Sequence, residues 1–179
     1  MLLTILRLCN PKQDQCILDI GIGTGNLSKH LTRFTDQIWG ADFSGEMLKR
    51  ARKVLPQSHL IQVDLHSEKW PKAMQGPFDR ILSAYTLHEF PDDDKLHLLL
   101  RFARESLAED GFIIIGDVSY ETLVHFDEAH LNYKGLWDED EYYWCAERML
   151  PQLEEAGFSA NYQQVSDCGG VYCLTCRSE

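Results

Sequence analysis

The chain lacks any apolar run approaching the roughly 20 residues that a membrane-crossing helix needs. Its most apolar stretch, the opening "MLLTILRLCN", is interrupted by Arg7. A core-strand pattern begins at Cys16, which leaves no room for a signal peptide and its cleavage site. A cytoplasmic location is therefore expected, with Cys9, Cys16, Cys145, Cys168, Cys173 and Cys176 reduced. Positive charge is also short: 17 Lys+Arg stand against 28 Asp+Glu, a formal net charge of −11. Phosphate binding needs clustered cations, so this balance argues against a nucleic-acid partner and against an anionic membrane surface. A small molecule or a neutral or basic partner remains open. There is one C-x-x-C, Cys173 to Cys176, with no second pair or paired histidines beside it. It lies in the strand-like "VYCLTC", where side chains three apart face opposite ways, so buried packing is expected and no metal site. Repeats, low-complexity tracts and Pro- or Ser-rich linkers are missing too. The 179 residues, 44% of them hydrophobic, then read as one domain, 1–179, with a real core.

Strand-like and helix-like periods alternate along the chain. Strands are expected at 16–20, 37–42, 59–64, 78–84 and 111–118. Between the first two, "NLSKHLTRF" sets Leu27, His30, Leu31 and Phe34 at helical spacing. After the second, Ser44 can cap "GEMLKRARKVL", with Glu46 in the positive first turn. "DDDKLHLLLRFARESLAEDG" is a longer helix with acids at its start and Gly111 past its end. Such alternation predicts right-handed crossovers and a parallel sheet covered on both faces. The rhythm changes after a helix at about 145–156 that Gly157 stops. "FSANYQQVS" and "VYCLTCRS" are separated only by "DCGG", which can close a hairpin but cannot make a parallel crossover. One reversed strand is therefore expected in a mostly parallel sheet.

The chemistry concentrates where the first strand ends. "CILDIGIGTGNLSKHL" has Gly21, Gly23 and Gly25 as G-x-G-x-G, but Asn26 stands where a dinucleotide fingerprint has its third glycine. Asp19, two residues before the first glycine, suits a cationic group better than a pyrophosphate. Asp42 ends the second strand and can accept two hydrogen bonds from ribose hydroxyls. Asp64, in "IQVDL", can meet an adenine amino group or cap a helix. All three acids fall at the carboxyl ends of neighbouring strands, the ligand-binding edge of an open α/β sheet.

In their order and spacing, "ILDIGIGTGNLS", "WGADFSGEML", "LIQVDL", "FDRILSAYTLHEF" and "LAEDGFIIIGDVSY" resemble the successive motifs of class I S-adenosylmethionine-dependent methyltransferases. The resemblance covers roughly residues 14 to 120 by motif. It implies a Rossmann-like three-layer α/β sandwich with a mostly parallel seven-stranded sheet and an antiparallel C-terminal hairpin strand. It also implies S-adenosylmethionine as cofactor, S-adenosylhomocysteine as product, and methyl transfer to a small-molecule acceptor by direct displacement. Gly21, Gly23 and Gly25 would let the backbone approach the methionine part and ribose. Asp19 would lie near the cationic end and Asp42 at the ribose hydroxyls. Phe43 would lie near the adenine face, Asp64 at the adenine amino group, with Leu65 offering its backbone and Ser83 or Ala84 contacting the cofactor through its own. Competing readings are a related protein that binds the cofactor or its product without turnover, as a sensor or subunit, and a nicotinamide dehydrogenase. Asn26, Asp19 and the terminal hairpin speak against the last.

Methyl transfer from a sulfonium needs alignment and exclusion of water more than a catalytic base. Its expected place is the switch point where "SAYTLHEF" leaves the sheet. Tyr85 is a candidate wall for the methyl group. His88 either accepts a proton from the acceptor or packs structurally at the start of the next helix. Glu89, Asp92, Asp93 and Asp94 read as helix-start charges. After Asp117, the segment 119–144 is read as a lid insertion; from Tyr120 to Trp144 it holds seven of the chain's 19 aromatics: Tyr120, Phe126, Tyr133, Trp137, Tyr142, Tyr143 and Trp144. Beside His125 and His130, these line an acceptor pocket, form a second apolar cluster, or make an interface with a second copy, so the chain is a monomer or a homodimer. An amphipathic helix from "MLLTILRL" can cover part of the cofactor edge.

Overall fold

Ile17–Ile20 (β1) is buried at every position and lies at the centre of the sheet in the computed structural model, which describes residues 1–177. It pairs in parallel with Ile38–Asp42 (β2) on one side and Phe78–Ala84 (β4) on the other. His59–Gln62 (β3) continues outward from β2, and Leu107–Tyr120 (β5) from β4, both parallel. Trp144–Cys145 (β6) makes a short parallel pair with the end of β5. Phe158–Ser166 (β7) and Gly169–Cys176 (β8) form the hairpin, and β8 runs antiparallel to both β5 and β7. The order is β3-β2-β1-β4-β5-β8-β7, with β6 off the path. The short link makes β7 and β8 antiparallel as expected, and the sheet seats the reversed strand between β5 and β7. Ser178, the last residue of the run read as that strand, lies outside the described residues.

Alternate residues of each central strand supply opposite layers, which is why these strands read as nearly continuous apolar runs. Leu18, Ile20, Ile81, Ile113 and Ile115 meet Leu99 and Phe102 of Asp92–Glu105 (α3) and Met149 and Leu153 of Ala146–Glu155 (α5). Ile17, Ile38, Leu82 and Ile114 meet Ile5 and Cys9 of Leu2–Cys9 (α1), with Leu27 and Leu31. Gly45–Val54 (α2) starts at Ser44, whose hydroxyl accepts the Met47 N–H at 3.3 Å. Leu123–Asn132 (α4) starts at Thr122, which caps the His125 N–H at 3.2 Å. Asp92, Asp93 and Asp94 occupy the first turn of α3. Among the described residues, no helix is long and apolar enough to cross a membrane.

Several elements differ from the sequence reading. "NLSKHLTRF" forms a 3-10 turn, Ser28–His30, and further turns instead of an α-helix. The His30 and Leu31 N–H groups bond three residues back, and the Ser28 hydroxyl donates to buried Asp19 at 2.6 Å. Helix α3 stops at Glu105 because the Ser106 hydroxyl donates to the Met74 carbonyl at 2.6 Å and the Ser106 carbonyl accepts the Phe78 N–H at 2.8 Å. The chain is thereby recruited into β5 four residues before Gly111. Helix α1 lies on a face of the sheet, and towards the carboxyl edge only its start reaches, with Ile5 and Met1 against Gly116 and Met1 against Gly169. The buried packing expected of the C-x-x-C pair holds only in part: Cys173 is half-buried, whereas Cys176, at the end of β8, is exposed.

Candidate functional site

At the carboxyl ends of β1, β2 and β3 lies a cleft of about 380 Å³, in the range of small-molecule sites. Gly21, Asp42, Phe43, Asp64 and Leu65 share its wall with Ala41, Val63, His66, Thr86, Glu89 and Phe90. The turn that opens it is set by backbone conformation: Gly21, Gly23 and Gly25 have φ of 66°, 54° and 83°, where L side chains are disfavoured. A Cβ on Gly21 would overlap the Thr86 side chain, so Thr86 closes over the turn. Gly25 serves packing: its Cβ would stand 2.7 Å from Leu55 Cδ1, at the end of α2. Gly23 has open space around it.

Asp42, only 8% exposed, accepts the Gly23 N–H at one oxygen and the Ser44 N–H at the other, both at 2.8 Å. The carboxylate therefore ties the glycine turn to the start of α2, and each oxygen keeps acceptor capacity for a ligand hydroxyl. Asp64 lies past the end of β3, exposed, and its Oδ1 accepts the His66 N–H at 2.9 Å. It caps a local turn and borders the cleft at once. Phe43, 67% exposed, presents an apolar ring at the mouth. Asp19 sits behind the turn, 2% exposed; burial raises its pKa to about 7, against the Ser28 hydrogen bond, which lowers it, and with Asp42, which raises it. A buried acid so poised has its charge stabilised by any cation that approaches. Ser83 is buried between Ile20 and Ile115 in the sheet, and its hydroxyl has no partner.

A protein-family model described as a methyltransferase domain matches residues 17–111, more than half of the chain and all the strands that build this cleft. A methyltransferase of uncharacterised activity from Alkaliphilus oremlandii is 30% identical over 182 aligned positions, covering 96% of this chain and 82% of that protein. The chain belongs to the class I S-adenosylmethionine-dependent methyltransferases. The likeness extends to solved folds at lower identity. A DhpI–SAM–HEP complex superposes with a TM-score of 0.76 at 21% identity, covering 97% and 83% of the two chains. Magnesium protoporphyrin IX methyltransferase from Synechocystis with bound SAH gives 0.73 at 16% identity, covering 99% and 82%.

In this methyltransferase, Tyr85 and His88 lie beyond the cleft wall. Tyr85 has φ of 58°, a left-handed conformation rare for a bulky residue, held by its N–H to the Gly116 carbonyl at 2.9 Å. Its ring is 54% exposed. His88 is engaged on both ring nitrogens: Nδ1 is 2.6 Å from Asp117 Oδ1 and Nε2 is 3.5 Å from Glu141 Oε1. Its N–H donates to Asp117 Oδ2 at 3.0 Å. Burial opposes a charged ring, but the Asp117 hydrogen bond and the charges of Asp117, Glu141 and Glu89 outweigh it and raise the pKa.

In segment 119–144 the aromatics largely pack on one another. Trp137 meets Phe126 at 5.4 Å and Tyr143 at 4.7 Å, both edge-on, and stacks on Tyr120 at 6.1 Å. Trp144 is fully buried against Tyr172 in the sheet core, whereas Tyr133 and Tyr142 are exposed. Tyr120, His125 and Tyr133 also line a second cleft of about 520 Å³ with Glu121, Glu128 and Asp167. Sequence reasoning missed Thr86, whose part comes from a contact across 65 positions. It read Glu89 only as a helix-start charge, and Phe90, whose ring meets His66 at 4.5 Å in a tilted arrangement, had no periodic signal because the turn before it is only three residues long.

Proposed function

We propose that the protein transfers a methyl group from S-adenosylmethionine to a small-molecule acceptor, with segment 119–144 covering the acceptor. The observation that carries this reading is the cleft at the carboxyl ends of β1–β3, where Gly21, Asp42, Phe43, Asp64 and Leu65 meet. These groups fit the cofactor: a glycine turn without side chains, a buried carboxylate with free acceptor capacity, an exposed apolar ring and a second carboxylate at the far wall. On this reading Asp42 holds the ribose hydroxyls, Phe43 and Leu65 flank the adenine, and Asp64 faces its amino group. Gly23 leaves room for the chain to approach, Gly25 holds the turn on α2, Asp19 faces the cationic end through the turn, and Ser83 backs it.

When bound, the cofactor supplies an electrophilic methyl group on a sulfonium. The protein's residues orient it and exclude water, which suits a direct displacement. Tyr85, fixed in a left-handed conformation at the switch point, walls the reacting region. His88 is read as a positioning group: Asp117 holds its Nδ1 at 2.6 Å, and Glu141 Oε1 stands 3.5 Å from its Nε2. Chemistry without an obligatory base agrees with that arrangement.

Calorimetric titration with S-adenosylmethionine, S-adenosylhomocysteine and NAD tests the reading. Selective binding of the first two supports it and justifies a screen of small-molecule acceptors. Binding of NAD alone, or of none of the three, overturns it.

A further inference from the structure

Lys95 is the least expected ionisable group in the molecule. It lies in the first turns of α3 with its side chain completely buried, although a lysine is rarely buried without a partner. Its Nζ donates to Asp92 Oδ1 at 2.8 Å and to the Tyr142 carbonyl at 2.5 Å, and lies 4.7 Å from the centre of the Trp144 ring. Asp92 is shared with Arg148, whose Nε is 2.8 Å from Oδ2. Asp92 is thus divided between two cations, and the other bond of Lys95 goes to the backbone of the segment proposed to cover the acceptor.

Tyr142 is gripped from its other side as well. Its N–H donates to the His88 carbonyl at 2.6 Å, in the 3-10 turn Leu87–Glu89. That turn continues into Glu89 and Phe90, which with Thr86 form one wall of the cofactor cleft. One residue earlier, Glu141 reaches the His88 ring. The start of the insertion is fastened elsewhere, through the Leu123 N–H to Glu147 Oε2 at 2.8 Å and the Glu147 N–H to the Glu121 carbonyl at 3.0 Å. Tyr142 is thus where the covering segment meets the cleft wall, and Lys95 holds it there.

We propose that Lys95 is a positioning residue that docks segment 133–142, through Tyr142, on the 86–90 turn, so that filling the cofactor cleft orders the acceptor cover. The first half stands on the contacts alone; the second rests on the proposed cofactor reading. A ligand touching Thr86, Glu89 and Phe90 stabilises the turn to which Tyr142 is bonded, and by linkage a docked segment favours the ligand-ready turn.

Amide hydrogen exchange of the full chain tests this, with S-adenosylhomocysteine as the probe. In the unliganded protein, Lys95→Met should speed exchange in 133–142 at least tenfold while the β5 amides 113–115 stay protected. Unchanged exchange in 133–142 overturns the docking role. In the wild type, saturating S-adenosylhomocysteine should slow exchange in 133–142; in Lys95→Met the ligand should bind but no longer slow it. Protection that persists in the variant, or never arises in the wild type, overturns the coupling. If S-adenosylhomocysteine binds neither protein, the cofactor reading fails and the unliganded comparison still decides the docking role. If Lys95→Met also exposes β5, Lys95→Gln, which keeps a polar group for Asp92 but removes the ammonium that reaches the Tyr142 carbonyl, takes its place in both comparisons, with the same outcomes deciding.

Discussion

Asp19 and Asp42 are two buried carboxylates in neighbouring strands with opposite consequences. Asp42 is satisfied by two backbone N–H groups, so its charge is already supported in the folded chain. Asp42→Ala should weaken S-adenosylmethionine binding by about 1–3 kcal/mol in a calorimetric titration, through lost charged hydrogen bonds and a looser glycine turn. Asp19 is satisfied only by the Ser28 hydroxyl, and its pKa rises from 3.8 to about 7. Between those values the folded state holds more protons than the unfolded one, so this group's contribution to stability falls as pH rises through that window. Asp19→Asn should remove that slope and gain on the order of 2 kcal/mol at pH 8 by urea unfolding. It should also lose cofactor affinity if the carboxylate faces the cationic end. In the variant, His88 contributes a slope of its own just above the usual histidine value. Its folded pKa is also raised, so its contribution is present at low pH and lost as pH rises past that folded value.

At the scale of elements, the three glycines of the turn separate by what surrounds them. Gly23→Ala meets open space and pays only for its left-handed backbone, about 1 kcal/mol. Gly25→Ala pays the same and must also displace Leu55, so it should cost about 2–4 kcal/mol, read by chemical unfolding. The sequence motif treats these glycines alike; their difference depends on α2, folded from residues 45–54. The same reason marks what was legible. Strand periods, the Ser44 cap and the hairpin's direction are local, and they read correctly. The 3-10 turn at Ser28, the early end of α3 at Ser106 and the burial of Lys95 each depend on a partner distant in sequence, Asp19, Met74 and Tyr142 respectively. For the candidate site, the sequence pointed to the acids and glycines at strand ends but not to Thr86, which reaches the turn only because β4 lies beside β1.

For the whole molecule, the cleft joins parts of β1, β2, β3 and the turn after β4, so a ligand there bridges elements that must separate on unfolding. S-adenosylhomocysteine at a hundredfold excess over its Kd should therefore stabilise the fold by about 2.7 kcal/mol, seen as a raised thermal midpoint. Asp42→Ala should need proportionately more ligand for the same shift. The position of β8 carries one more consequence. Because β8 follows β7 in the chain yet lies between β5 and β7, a ribosome that has released everything up to residue 168 has delivered a sheet with an open seam. Until residues 169–176 emerge, β5 presents an unpaired edge beside Ile113, Ile114 and Ile115, the kind of open strand edge that pairs with other chains.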